Sequence, residues 1–459
     1  IAFLASDELL GRDTPSPGLE AAAEYAADQF REFGLEPAGD DGSFIQRFPF
    51  DASSLDLGAA LVQVRTADDA TRLAFGDDYF VMPARIDSVV GSPIFLGPAR
   101  PGLLAPAAAA GRPVMFFAPD TASAAWQAAA GAAVQAAMAA RASAAILILP
   151  PEFSPSTLAT VADQLTGQIM PVPMPVVGLQ YAAAQQLFRS AGVDLDDIRT
   201  STDPMPLPEI TLALRTPVSG TVVQVPNIVA VLPGSGSALS DEYIVFSAHI
   251  DHVGVGRPDE TGDSIYNGAD DDASGTTAVL EIAEAFASLD RRPARSIMFL
   301  LVSGEEKGLL GSMYFVENPP VPLSQVAANI NMDMVGRNAP DSLVAIGLDY
   351  SSLGPAIRDI AARHPELGLT IAPDLWPEEM LFFRSDHFSF AAKEVPAIFF
   401  TSGLHDDYHQ PSDEPDTIDD DKVTRVARLL FLYAQELANA SQRPEWTAAG
   451  LEEVRRVTR

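Results

Sequence analysis

From about Gly220 onward the chain alternates short, continuous apolar runs with amphipathic stretches, and this rhythm leaves few folds open to it. The runs are "NIVAVLPG", "EYIVFSAHID", "SIMFLLVSGEE", "AANINMDMVG" and "VPAIFFTSG". Between and after them lie "TTAVLEIAEAFASL", "SLGPAIRDIAARH" and "DKVTRVARLLFLYAQELANA", which read as helices. Neighbouring side chains of a strand point to opposite sides of the sheet, so a strand apolar at successive positions must be covered on both faces. Such strands alternating with helices predict an α/β domain with a mainly parallel central sheet and helices on both faces.

The preceding part of the chain reads differently. Residues 1–50 hold a helix, "LEAAAEYAADQFREFG", closed by Gly34. From Asp51 to Pro217, short β-type runs ("ALVQVRT", "YFVMPARI", "SPIFLG", "PVMFFAP", "AAILILP") are separated by Pro- and Gly-rich turns. An Ala-rich helix lies among them and a second follows in "LQYAAAQQLFRSAG", so 51–217 predicts a β-rich α+β insert. The α/β domain occupies 218–440, and 441–459, "SQRPEWTAAGLEEVRRVTR" from Ser441 on, reads as a loosely attached tail.

Composition removes several function classes. With 62 acidic against 29 basic residues the formal net charge is −33. A chain so acidic repels nucleic acid and anionic lipid at long range, so neither is an expected partner. It has no cysteine, hence no disulfides and no thiolate chemistry. No window predicts membrane insertion, since the most apolar one, "AAWQAAAGAAVQAAMAARASAAILIL", is interrupted by Gln127, Gln135 and Arg141. The sequence starts at Ile1 without a charged leader. The expectation is a processed, exported protein, periplasmic or extracellular, whose export signal is no longer in view.

The apolar runs share one property: nearly all lead into residues that can bind a metal. "EYIVFSAHID" ends in His249 and Asp251, "SIMFLLVSGEE" in Glu305 and Glu306, and "NINMDM" holds Asp333 between methionines. "AIFFTSGLHDDYH" leads to His405 and His409. Ligands of open α/β sheets bind beyond the carboxyl ends of the strands. Taken alone, His249 reads as a satisfied core histidine, Glu305–Glu306 as a solvated loop pair and His409 as a surface residue. Asp333 is different, because an unpaired charge inside an apolar strand is costly. The triplet in "YNGADDDASG", Asp270 to Asp272, precedes a helix, and capping explains one aspartate but not three. A divalent cation between carboxylates would remove the repulsion. Imidazole mixed with carboxylate, without thiolate, suits zinc. There are more donors than one tetrahedral ion needs, and two ions sharing a bridging carboxylate fit the count.

In order and spacing, "SAHIDH", "NGADDDASGTTAVLEIAEAF", "VSGEEKGLLGS", "NINMDMVG" and "GLHDDYHQPSDEPDTID" resemble the co-catalytic di-zinc aminopeptidases of clan MH, which include bacterial leucyl aminopeptidases and relatives of glutamate carboxypeptidase II. The opening "IAFLASDELLGRDTPSPG" resembles the family's first segment, which makes 1–50 part of the catalytic domain. The insert, with "PVPMPVVGLQYAAAQQLF", resembles a protease-associated domain.

The resemblance implies two Zn2+ ions per chain bridged by Asp271. His249 and Asp333 would complete one position, and Glu306 and His409 the other. Glu305 would be the general base and Asp251 would orient His249. It further implies a cis peptide at Asp271–Asp272. Some members place a tyrosine and a cysteine pair before the "SDH" motif. Here Phe382 and Phe383 stand there, and Tyr408 is the candidate oxyanion donor instead. Asp386 and His387 match the motif in a supporting role.

The expected activity is removal of the N-terminal residue from peptides with a free N-terminus, a water shared by the two metals being the nucleophile. A carboxypeptidase or dipeptidase would instead need a cationic pocket, for which Arg384 and Arg337 are candidates. A binding module without chemistry would be expected to lack ligands or base, and all are present.

Overall fold

The computed structural model describes residues 1–459 except 57–58, 68, 83–87, 101–105, 119–123, 154–173, 237–238 and 459. Part of the expected strand "YFVMPARI" and the "PVP" of the insert's last segment lie outside the described residues. The chain divides into two compact units, Ile1–Phe50 with Gln224–Arg459, and Asp51–Val223.

The first unit is built on a nine-stranded sheet. Its strands are β1 (Glu36–Pro37), β2 (Ile45–Asp51), β3 (Val222–Leu232), β4 (Tyr243–His249), β5 (Ser296–Val302), β6 (Val326–Met332), β7 (Ser342–Ile346), β8 (Thr370–Ala372) and β9 (Ala397–Thr401). They lie in the order β1-β3-β5-β4-β6-β9-β7-β8, with β2 also beside β3. The central strands β5, β4, β6 and β9 are mutually parallel, while β3 and β7 run antiparallel to their inner neighbours. The four parallel strands therefore end along one edge.

The continuous apolar runs do cover both faces. Ile244, Phe246 and Ala248 of β4 pack with helices α1 (Pro17–Glu32), α2 (Gly275–Ala287), α4 (Leu353–Arg363) and α6 (Asp420–Asn439). Val245 and its neighbours on β5, Met298 and Leu300, face the opposite core, built with α3 (Leu310–Glu317), α5 (His387–Ala392) and α7 (Ala448–Val457). Local signals set the helix starts. The Ser16 hydroxyl accepts from Leu19 N at 3.0 Å ahead of Pro17, and Asp419 accepts from Lys422 N at 2.9 Å.

The second unit holds a six-stranded and a four-stranded sheet among its described residues. Parallel strands Ile94–Pro98, Pro113–Phe117, Ala144–Ile148 and Val176–Leu179 form the middle of the larger one, and Tyr79–Met82 pairs antiparallel at its side. The helix Tyr181–Ser190 packs Leu187 and Phe188 into this unit's core. No helix among the described residues is long and apolar enough to cross a membrane.

The C-terminal tail departs from expectation. It is docked, with Val454 of α7 buried in the same core as Phe390. Trp446 Nε1 donates to Glu394 O at 2.8 Å, and Arg455 holds the Glu394 carboxylate with two bonds of 2.7 and 2.8 Å. A short helix with one apolar anchor among charges carries little periodic signal, so its packing was not visible in sequence. Val454→Asp would place an unpaired carboxylate there. The expected result is release of α7, with amides of 448–457 losing hydrogen-exchange protection while β4 and β6 keep theirs.

Candidate metal centre

The parallel strands deliver the acidic and imidazole groups to one edge, as the sequence pattern predicts. His249 is the last residue of β4, Glu305 and Glu306 follow β5, and Asp333 follows β6. The loop after β9 carries His405, Tyr408 and His409. A cleft at this edge is lined by His249, Asp271, Glu305, Asp333, Arg384 and Tyr408 with apolar Met334, Leu381, Phe399 and Leu404.

Asp271 lies at the centre. Its Oδ1 is 3.1 Å from His249 Nε2 and its Oδ2 3.1 Å from His409 Nε2. His249 Nε2 is also 3.6 Å from Asp333 Oδ1, and His409 Nε2 is 3.2 Å from Glu306 Oε2. His249, Asp271 and Asp333 form one group of converging donors. The second group is Asp271, Glu306 and His409 together with His252.

The three aspartates of the triplet do different work. Asp272 accepts from Gly275 N at 2.9 Å, capping α2, and also from His249 N at 3.0 Å and Met334 N at 3.2 Å. Asp270 accepts from Gly336 N at 2.6 Å, and its other oxygen lies 3.2 Å from His405 Nε2. Only Asp271 is turned toward both histidine–carboxylate groups. The Asp271–Asp272 peptide is cis. Gly268 opens the turn at φ +59°, where an added Cβ would stand 2.2 Å from Asp271 O and 2.5 Å from the His252 ring. Glycine is required there on both counts.

Supporting contacts differ in detail from the sequence reading. His249 Nδ1 is closest to the backbone carbonyl of Asp251, at 3.1 Å, while the Asp251 carboxylate stays 3.8 Å away. That carboxylate is held elsewhere: Thr14 Oγ1 donates to it at 2.9 Å and Glu305 N at 3.3 Å. In the "SDH" motif it is Ser385 that reaches the centre, donating to Asp333 Oδ2 at 2.7 Å and accepting from Asn331 Nδ2 at 2.8 Å. His387 is packed between Phe382 and Phe399, and burial lowers its pKa to about 3. It is neutral and outside both donor groups. Asp386 is wholly buried, which raises its carboxyl to about 7.

Two residues had not been singled out. His252 sits three residues after His249, fully buried, with Nδ1 2.9 Å from Glu306 Oε1. The repeated histidine in "HIDH" was the available signal. Arg12 is also buried, and donates to the carbonyls of Ile250 at 2.8 Å, Asn267 at 2.7 Å, Gly268 at 3.1 Å and Leu4. It ties the segment after β4 to the turn that carries Asp271. Burial lowers its pKa to about 10, so the guanidinium stays charged near neutral pH.

The electrostatics fit a divalent cation. With only protons to neutralise the carboxylates, burial works against charged imidazole at His409. Contacts with Asp271 and Glu306 override it and lift its pKa to about 10. His249 is likewise raised well above its ordinary value by Asp333, Glu305 and Asp271, against its own burial. Glu306 is drawn down to about 2 by His252 and His409, despite its burial and the charge of Asp271. Among the described residues, Glu306 Oε1 and His409 Nε2 are buried with charged neighbours but without a well-aligned hydrogen bond. Donors that draw positive charge so strongly, on imidazole and carboxylate together, match the zinc-type set. If His409 and His249 hold a metal, they must first shed protons, so zinc addition near neutral pH should release protons. Affinity should weaken about tenfold per pH unit and ion as pH falls below these raised pKa values. Calorimetry in buffers of different ionisation enthalpy measures the release. Separately, Arg12→Met would strand four carbonyls and should cost about 3 kcal/mol or more. Arg12→Lys should not restore the loss, since an ammonium cannot span the fork, and urea midpoints would show both effects.

Residues 227–434 match the model of peptidase family M28. A probable zinc metalloprotease of Pyrenophora tritici-repentis is 38% identical over 116 residues, 25% of this chain and 25% of its own. A probable leucine aminopeptidase of Arthroderma otae is 29% identical over 224 residues, 47% of this chain and 58% of its own. The chain thus spans no more than 58% of the length of either relative. Among solved structures, an aminopeptidase from Aneurinibacillus sp. strain AM-1 shares the fold at a TM-score of 0.62 and 18% identity, covering 96% of this chain and 93% of that one. Residues 227–434 thus resemble peptidase family M28 in sequence, and the chain shares its fold with the Aneurinibacillus structure.

Proposed function

We propose that the protein is a di-zinc aminopeptidase that removes the N-terminal residue from peptides with a free N-terminus. The observation that carries this reading is Asp271, whose two oxygens each lie 3.1 Å from a different histidine, His249 on one side and His409 on the other. A carboxylate so placed can bridge two ions, with Asp333 completing the His249 position and Glu306 the His409 position. The naming of the Arthroderma otae relative as a probable leucine aminopeptidase supports the same class.

Two zinc ions held there would supply a water acidified toward neutrality and would polarise the scissile carbonyl. Glu305 is suited to the proton transfers. It lies on the cleft, and burial first, then the charges of Glu306, Asp386 and Asp333, raise its proton affinity well above that of an ordinary carboxylate against the pull of His249. It would take the water's proton and pass it to the leaving amine. Its backbone is fixed through Asp251, which Thr14 holds in turn. Tyr408 lines the same cleft, stacked on His409 with ring centroids 3.9 Å apart. Burial, with Asp271 and Glu306, raises its pKa and keeps the phenol protonated, so it can donate to an oxyanion.

Substrate polarity follows from the lining. Asp271, Glu305 and Asp333 suit an α-ammonium, while Met334, Leu381, Phe399 and Leu404 suit an apolar N-terminal side chain. A carboxypeptidase would need an uncommitted cation. Arg384 is paired with Glu379 at 2.9 Å, and Arg337 with Asp407 at 2.6 Å. The insert, 51–217, is assigned by its resemblance to a protease-associated domain.

Glu305→Gln should retain its metal and lose about 10²–10⁴-fold in kcat, the worth of a general base. Metal content and kinetics on the same sample decide this, and near-normal turnover would defeat the role. A leucyl substrate with a free amine should be cleaved and its acetylated counterpart left intact. Cleavage of both at similar rates would remove the aminopeptidase reading while sparing the hydrolase.

A further inference from the structure

We propose that His252 is itself a metal ligand, so that the two positions of the centre are chemically unequal. Four protein donors, His252, Asp271, Glu306 and His409, surround one ion, and three, His249, Asp271 and Asp333, surround the other. This inference rests on the two-metal reading and adds a residue to it.

The evidence lies in how the ring is buried. His252 has no solvent exposure, and among the described residues its Nε2 has no hydrogen-bond partner while its Nδ1 meets only the Glu306 carboxylate within hydrogen-bond distance, without hydrogen-bond alignment. Burying an imidazole beside carboxylates without well-aligned hydrogen bonds is costly, so the ring needs a reason to be there. Its Nδ1 points at the centre, 2.9 Å from Glu306 Oε1 and 3.7 Å from Asp271 Oδ2. Glu306 Oε1 is itself buried, so the imidazole nitrogen and the carboxylate oxygen face each other at a distance an ion could share, without a well-aligned hydrogen bond between them. The His409 ring meets the His252 ring edge-on at 5.5 Å, so both imidazoles converge on the same carboxylates.

The fold makes room for the ring in this position. The His252 backbone N–H is engaged by Arg12 O at 3.3 Å, and Gly268 leaves the space that a Cβ would take from the ring. A histidine merely filling the core would not need glycine at its face and two carboxylates at its edge.

Unequal donor counts have a chemical consequence. Two imidazoles and two carboxylates would hold an ion more firmly than three donors, and the three-donor position would keep the more open coordination sphere for water and substrate. The ion beside His252 is therefore the tighter one and the last to be stripped by chelator. The ion beside His249 is the exchangeable one.

The alternative role, in which His252 only donates a hydrogen bond that orients Glu306, is separable by experiment. Metal-free protein carrying nitrogen-labelled histidine is loaded with cadmium, and cadmium–nitrogen couplings count the imidazoles on each ion. One cadmium coupled to two imidazoles and the other to one is the expected result. One imidazole on each overturns the proposal and leaves the two-metal reading intact, while binding of a single cadmium defeats the two-metal reading itself. This measurement needs no substitution. In parallel, cobalt added to His252→Ala should show, for its first equivalent, a weaker and shifted visible absorption than the unsubstituted protein. Its affinity in chelator competition should fall about 100-fold or more. An unchanged cobalt spectrum, whatever the affinity, rules His252 out as a ligand.

Discussion

Asp251, Asp271, Glu305, Glu306 and Asp333 are brought to one edge of a parallel sheet, and the negative charge gathered there is what the surrounding structure must answer. Parallel strands make the crowding possible, because β4, β5 and β6 all end on the same side and each delivers its residues at the same level. Burial makes it costly. A carboxylate removed from water must find positive charge or a proton, and the raised proton affinities of His249 and His409 register that demand. Backbone N–H groups answer part of it at Asp270 and Asp272. Asp271 has its amide bound to Asp413 but its own oxygens turned to histidines, and it is the group that backbone hydrogen bonds leave for a cation.

Much of this was legible in the sequence because it depends on local pattern. Continuous apolar runs dictated a two-faced sheet, and an aspartate inside "NINMDM" could not be an ordinary strand residue. The capping role of one aspartate in the triplet, here Asp272, also follows from its distance to the start of α2. Other features depend on which distant segment arrives. Arg12 sits in a polar stretch that resembles any surface loop, and its burial exists only because the turns after Ile250 and before Asp271 close over it. Ser385 rather than Asp386 or His387 touches Asp333, a distinction of one residue that no periodicity encodes.

The same contrast explains Asp251. Two residues beyond His249 on an ideal strand, its carboxylate would share a face with the imidazole. β4 ends at His249, however, and the chain then turns, presenting the Asp251 carbonyl to Nδ1 instead. The carboxylate is thereby available to Thr14 and to the Glu305 amide, joining the strand that carries His249 to the loop that carries Glu305.

That junction makes the first residues of the chain part of the frame around the donor groups. Thr14 Oγ1 donates to Asp251 and accepts from Gly304 N at 3.1 Å, so one hydroxyl fixes the end of β4 against the segment entering Glu305. Arg12, two residues earlier, fixes the end of β4 against the turn entering Asp271. The two contacts span separations of more than 230 residues, with the whole insert lying between them in sequence. The entropic cost of such closures grows only slowly with the length of chain between the partners, so a long insertion is tolerated there. Residues 227–434 thus share the holding of the donor groups around Asp271 with Arg12 and Thr14. The segment before α1 completes a frame that the matched domain leaves open.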